Sequence, residues 1–129
     1  MEDFYIPATA MSPEIDFRFS CHVLNIRGES YPENAAAFYG EILNQLARYL
    51  GSEGRKKIEV NVELRYFNSS STKILLRLFE MLNDAVSAGN EITLNWYHDE
   101  EDDTILEFGE DLHSDYELLD FNPIAISEA

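Results

Sequence analysis

Nine consecutive residues, Ile58 to Tyr66, alternate apolar and polar without a break. Ile58, Val60, Val62, Leu64 and Tyr66 fall on one side, and Glu59, Asn61, Glu63 and Arg65 on the other. A period of two places these sets on opposite faces of a β-strand. A strand buried on both faces reads apolar throughout. This one is therefore expected to have one face covered by helices and one wetter face.

The rest of the chain supplies the helices. Apolar residues recur at Ala35, Phe38, Ile42, Leu46 and Tyr49, the spacing of an amphipathic helix. Ser30 and Glu33 have capping-box spacing before it, and Pro32 suits a first helical turn. Gly51 and Gly54 end it. A second helix is predicted from Ser71 to Ala88, with Leu75, Leu78, Phe79, Leu82 and Val86 as its buried stripe and Gly89-Asn90 as its stop. Upstream, Ile15, Phe17 and Phe19 alternate with Asp16 and Arg18, and His22 to Ile26 alternates again, which reads as a hairpin. Gly28 and Glu29 break that pattern. Ile92 to Tyr97 forms another strand, Thr104 to His113 a weaker helix, and Glu117 to Phe121 a short last strand.

Two crossover helices between strands imply a largely parallel sheet with right-handed connections. The expected fold is a single α/β domain over residues 1–129. It has a central mixed four- to five-stranded sheet, an N-terminal β-hairpin and helices mainly on one face. Residues 1–13, with two prolines, read as a lead-in, and residues 122–129 as an irregular tail.

Composition narrows the partners. The 129 residues fit one ordinary domain, and the 45% apolar content, with eight Phe and seven Tyr, supplies a core. Nine Lys and Arg against 25 Asp and Glu give a formal charge of −16. Such a surface repels phosphate backbones and anionic headgroups, so neither nucleic acid nor membrane is expected to bind. A basic patch on another protein suits it better. The single cysteine, Cys21, excludes an intrachain disulfide and a Cys-rich zinc site. Met1 to Met11 lacks the basic-then-apolar pattern of a secretory signal, and no apolar run is long enough to span a membrane, so the cytoplasm is the expected location.

One segment stands out chemically. Asn68-Ser69-Ser70-Ser71-Thr72-Lys73 lies between the alternating strand and the second helix. Ser and Asn cap helices, but one side chain suffices for that. Lys73, read as a first-turn residue, opposes the helix dipole unless an anion visits. A phosphate fits, either on a ligand held by Asn68, Ser70, Ser71 and Lys73, or attached covalently to a serine. Glu29 to Asn34 occupies a second strand-to-helix turn, and in a parallel sheet the two turns share one edge. The run His98-Asp99-Glu100-Glu101-Asp102-Asp103 lacks EF-hand spacing and reads as a solvated charge run or an acidic docking patch. Catalytic, P-loop and dinucleotide motifs are missing, and His22, His98 and His113 are scattered, so no catalytic residue, metal or cofactor is expected.

Gly28-Glu29-Ser30-Tyr31-Pro32-Glu33-Asn34, Tyr66-Phe67-Asn68-Ser69-Ser70-Ser71-Thr72-Lys73 and Trp96-Tyr97-His98-Asp99 together resemble the SiaC family of bacterial phosphoproteins, across roughly residues 5 to 121. The resemblance implies a fold similar to STAS domains and anti-sigma-factor antagonists, and a partner-switching role. It implies that a hydroxyl just after the motif's Asn is phosphorylated by a dedicated kinase and cleared by a PP2C-type phosphatase. The unphosphorylated form would bind and activate a diguanylate cyclase, promoting cyclic-di-GMP synthesis and biofilm formation or aggregation. The family's threonine is Ser69 here, with Ser70, Ser71 or Thr72 as substitute acceptors. Tyr31, Pro32, Glu33, Asn34, Tyr66 and Phe67 are the expected partner-binding residues.

Overall fold

The computed structural model describes residues 1–127. Along the chain it forms β1 (Phe4–Ile6), β2 (Glu14–Arg18), a 3-10 turn at Phe19–Cys21, β3 (Val23–Ser30), α1 (Ala35–Leu50) and β4 (Lys57–Phe67). Then come α2 (Ser69–Ser87), β5 (Glu91–Asp99), α3 (Asp103–Asp115) and β6 (Asp120–Ile126). The strands lie in one sheet in sequence order, antiparallel from β1 to β3 and parallel from β3 to β6. The hairpin, the parallel crossovers and the position of the alternating strand follow the sequence expectation. Among the described residues, no helix is long and apolar enough to cross a membrane.

The strand count does not follow it: among the described residues six strands replace four to five. β1 arises inside the expected lead-in, where three residues are too few to show a period. Phe4 holds it by packing its ring 6.5 Å from that of Phe17. β6 runs to Ile126, through most of the expected irregular tail. Pro123 argues against a strand in sequence, yet β6 is an edge, where a missing N–H breaks no ladder bond on its open side. Residues 128–129 of that tail lie outside the described residues.

β4 places Ile58, Val60, Val62 and Leu64 in the core, all at most 3% exposed. They meet Leu46 of α1, Leu75, Phe79 and Leu82 of α2 and Ile105 of α3 in one apolar cluster. Each such side chain contributes roughly 1.5–3 kcal/mol by leaving water. Tyr39 and Ala85 join the buried stripes, while Phe38 and Val86, expected in them, are only partly buried against the core; the other stripe residues are buried as expected.

The register slips near the end of β4. Gly28 pairs with Leu64, but the next residue, Glu29, pairs with Tyr66, leaving Arg65 as the extra residue of a bulge. One added residue exchanges the faces. Tyr66 therefore turns off the helix face and is 51% exposed, contrary to the unbroken alternation. Phe67 takes the inward position and packs 4.8 Å from the Phe108 ring. Gly28 (φ 125°) carries β3 through the expected break to Ser30.

The uncovered face carries a row of side-chain amides, one from each parallel strand. Asn25, Asn61, Asn95 and Asn122 pair in register. Asn61 Nδ2 donates to Asn25 Oδ1 (2.9 Å), Asn95 Nδ2 to Asn61 Oδ1 (2.8 Å) and Asn122 Nδ2 to Asn95 Oδ1 (3.4 Å).

Candidate functional site

Because β3 and β4 are parallel neighbours, the turns that follow them are side by side. Asn68 N donates to Ser30 O (3.1 Å), joining the two segments across the strand ends. The Tyr31 and Tyr66 rings meet edge to face, 5.6 Å apart. Asn34 caps α1 by accepting from Ala37 N (3.0 Å). The capping box expected from Ser30 and Glu33 does not form. Ser30 is the last residue of β3 and fully buried, and Pro32 precedes the helix instead of opening it. The helix starts frame a groove of about 570 Å³, with Glu33 and Asn34 on one wall and Ser69, Ser70 and Lys73 on the other.

α2 begins two residues earlier than its periodicity suggested, because Asn68 is its cap. The Asn68 side chain accepts from Ser71 N (3.0 Å), the geometry of a helix N-terminus. This sorts the hydroxyls. Ser69 and Ser70 are exposed on the first turn, and among the described residues their hydroxyls have no protein hydrogen-bond partner. Thr72 Oγ1 donates back to Ser69 O (2.6 Å). Ser71, proposed as a substitute acceptor, is 1% exposed and turned into the core. Lys73 falls in the second turn, beyond the short reach of the helix dipole. Its expected conflict with that dipole disappears, and with it the main physical support for a bound phosphate ligand.

The inward serine belongs to a hydroxyl cluster that the sequence did not reveal. Ser71 Oγ donates to Ser30 O (2.9 Å) and lies 2.7 Å from Ser30 Oγ, which lies 2.6 Å from Tyr39 Oη. Burial pushes the Tyr39 hydroxyl up to about 12. A faint signal existed: Ser30 continues the inward set Leu24, Ile26 and Gly28, and Ser71 precedes Leu75 by one helical turn.

The acidic run lies at the same sheet edge, beside a cavity of about 500 Å³ that Glu63, Arg65 and Tyr97 also line. Two of its residues have structural tasks. Asp102 caps α3 by accepting from Ile105 N (3.1 Å), and Asp99 Oδ1 accepts from Glu101 N (2.8 Å). Among the described residues, no group of carboxylates, histidines and cysteine has the arrangement of a metal site. The three histidines are apart: His22 meets Tyr49, His98 the Asp99 carbonyl and His113 the Leu119 carbonyl.

Comparison with known proteins gives one consistent result. The model of the SiaC family of regulatory phosphoproteins matches residues 6–126. An uncharacterized protein of Pseudomonas aeruginosa (strain UCBPP-PA14) is 30% identical over 115 residues, covering 89% of this chain and 90% of its own. The crystal structure of apo-SiaC from P. aeruginosa superposes with a TM-score of 0.88 at 29% identity, covering 97% of this chain and all of that one. A chain from the crystal structure of the diguanylate cyclase SiaD in complex with its activator SiaC, from the same organism, superposes with a TM-score of 0.89 at 28% identity, covering 96% of this chain and all of that one.

Proposed function

The chain belongs to the SiaC family of regulatory phosphoproteins, and from that premise we propose that it is a phosphorylation-controlled adaptor. In its unphosphorylated form it binds and activates a diguanylate cyclase, and a kinase and a PP2C-type phosphatase set the state of Ser69. One observation carries this reading. Among the described residues, the exposed Ser69 hydroxyl on the first turn of α2 has no protein partner, and it lies at the edge that also presents Tyr66 and the Tyr31–Asn34 turn.

The mechanism is charge with desolvation. Phosphate adds about 1.5 to 2 negative charges at neutral pH. Glu33 already lines the same groove, and Lys73 is the cation beside it. A dianion closed into a fitted interface loses its water, and the single charge of Lys73 balances only part of it, which opposes docking. In the free protein the helix start tolerates the same charge.

Binding of the purified chain to its cognate diguanylate cyclase tests this directly. Ser69→Asp is expected to weaken binding by at least about tenfold, roughly 1.4 kcal/mol. Ser69→Ala is expected to bind and activate like the parent. Equal affinity of the two variants would sink the proposal.

A further inference from the structure

The buried hydroxyls beneath Ser69 form a chain whose direction is fixed by elimination. Carbonyls only accept, so the one hydroxyl hydrogen of Ser71 goes to Ser30 O. The 2.7 Å contact between Ser30 Oγ and Ser71 Oγ must then use the Ser30 hydrogen. The 2.6 Å contact between Tyr39 Oη and Ser30 Oγ must in turn use the tyrosine hydrogen. Tyr39 thus donates to Ser30, Ser30 to Ser71, and Ser71 to the Ser30 carbonyl. The same carbonyl also accepts from Asn68 N. All three hydroxyl residues are at most 4% exposed. Together they tie the end of β3, the second turn of α1 and the first turn of α2 around one point.

We infer that Ser30 and Tyr39 are specificity-determining residues for modification of this helix start, because they withhold Ser71 and leave Ser69 as the acceptor. This rests on the reading of Ser69 as a phosphoacceptor. In the transfer, the γ-phosphoryl group of a nucleoside triphosphate bonds to a serine Oγ. The hydroxyl proton leaves to a base of the kinase, and the nucleoside diphosphate departs. The attacking oxygen needs a free lone pair and an open line of approach to phosphorus. Ser71 Oγ has no open approach: it is buried, its hydrogen is held by Ser30 O, and one of its lone pairs is taken by Ser30 Oγ. Ser69 lies two residues earlier, on the turn that this lock keeps formed, and its oxygen faces solvent.

The test is site-resolved phosphopeptide mass spectrometry of the full chain isolated from its native cells, beside Ser30→Ala and Tyr39→Phe expressed in the same cells. The parent is expected to carry phosphate on Ser69 and none on Ser71. Ser30→Ala removes the bond that Ser71 Oγ accepts and the link to Tyr39, leaving only the backbone carbonyl of that position to hold the Ser71 hydroxyl. It is expected to place part of the phosphate on Ser71. Phosphate on Ser71 of the parent, or an unchanged distribution in Ser30→Ala, overturns the inference. Phosphate on no serine of any of the three overturns the phosphoacceptor reading instead. Amide hydrogen exchange then decides the lock by itself. The Ser71 and Thr72 amides should exchange faster in Tyr39→Phe, while the Val60 and Val62 amides in β4 do not change. Unchanged exchange at Ser71 and Thr72 shows that no lock exists.

Discussion

Gly109 of α3 lies so close to the indole of Trp96 that a Cβ there would meet Trp96 Nε1 at 2.5 Å. The indole has no room to retreat. Its N–H donates to Ile105 O (2.9 Å), and its other side meets the Phe79 ring edge-on at 5.7 Å. Gly109→Ala must therefore push α3 off the sheet or break the indole bond. A loss of about 2–3 kcal/mol is expected, as for an overpacked core. Thermal unfolding followed by near-ultraviolet circular dichroism should show it. Gly40 of α1 is the control, since a Cβ there meets nothing within 4 Å. Gly40→Ala should stabilise by about 0.5–1 kcal/mol through helix propensity alone. Equal effects at the two glycines would contradict this packing.

Residues governed by local period were legible in the sequence. The inward set of β4, the stripe Leu75-Leu78-Phe79-Leu82 of α2 and the parallel crossovers all follow from spacing within one element. What escaped depends on pairing between distant segments. The bulge at Arg65 exists only relative to Gly28, and it alone moves Tyr66 to the opposite face. β1 and β6 are strands because β2 and β5 offer them edges. At the candidate site, Ser69 on an exposed helix start was legible, because Asn followed by hydroxyls signals a cap. Ser71 was not, because its role is set by Ser30, 41 positions away. A run of like residues hides that their side chains point in different directions once the helix forms.

The amide row tests how much a polar sheet face contributes. Asn61 is its centre: it donates to Asn25 and Glu59 and accepts from Asn95. Asn61→Ala removes these bonds and leaves Oδ1 of the buried Asn25 without that donor, so about 1–2 kcal/mol should be lost. Asn122 ends the row with one 3.4 Å bond, and Asn122→Ala should cost less than about 0.5 kcal/mol. Urea unfolding of the two variants separates them; a larger effect at the end than at the centre would show that the row does not act as a connected unit.

Alkaline stability should follow the buried tyrosines. Burial pushes both Tyr39 and Tyr49 from 10.0 up to about 12. A folded value above the unfolded one means that the neutral form is favoured in the native state. That contribution is complete below pH 10 and is lost as pH rises toward about 12. Stability should fall across this window. Tyr39→Phe starts less stable at pH 9, having lost its bond to Ser30, but falls less steeply, so the gap to the parent narrows with pH. A constant gap, measured by denaturant titration at several pH values, would refute the burial account for Tyr39.

Asn68 allows charge and stability to be separated at the switch edge. Its side chain caps α2 through Ser71 N, so Asn68→Ala should cost about 1 kcal/mol and lower the unfolding temperature. Asn68→Asp keeps the accepting oxygen and adds a negative charge that the helix start favours, so its unfolding temperature should match or exceed the parent's. That charge is nevertheless placed one residue before Ser69, on the surface proposed to meet the cyclase. The aspartate variant should therefore bind the cyclase more weakly while being at least as stable. The alanine variant should be less stable, with a smaller effect on binding. If affinity instead tracked stability across the pair, the partner would be reading the rigidity of the α2 start and not the charge on it.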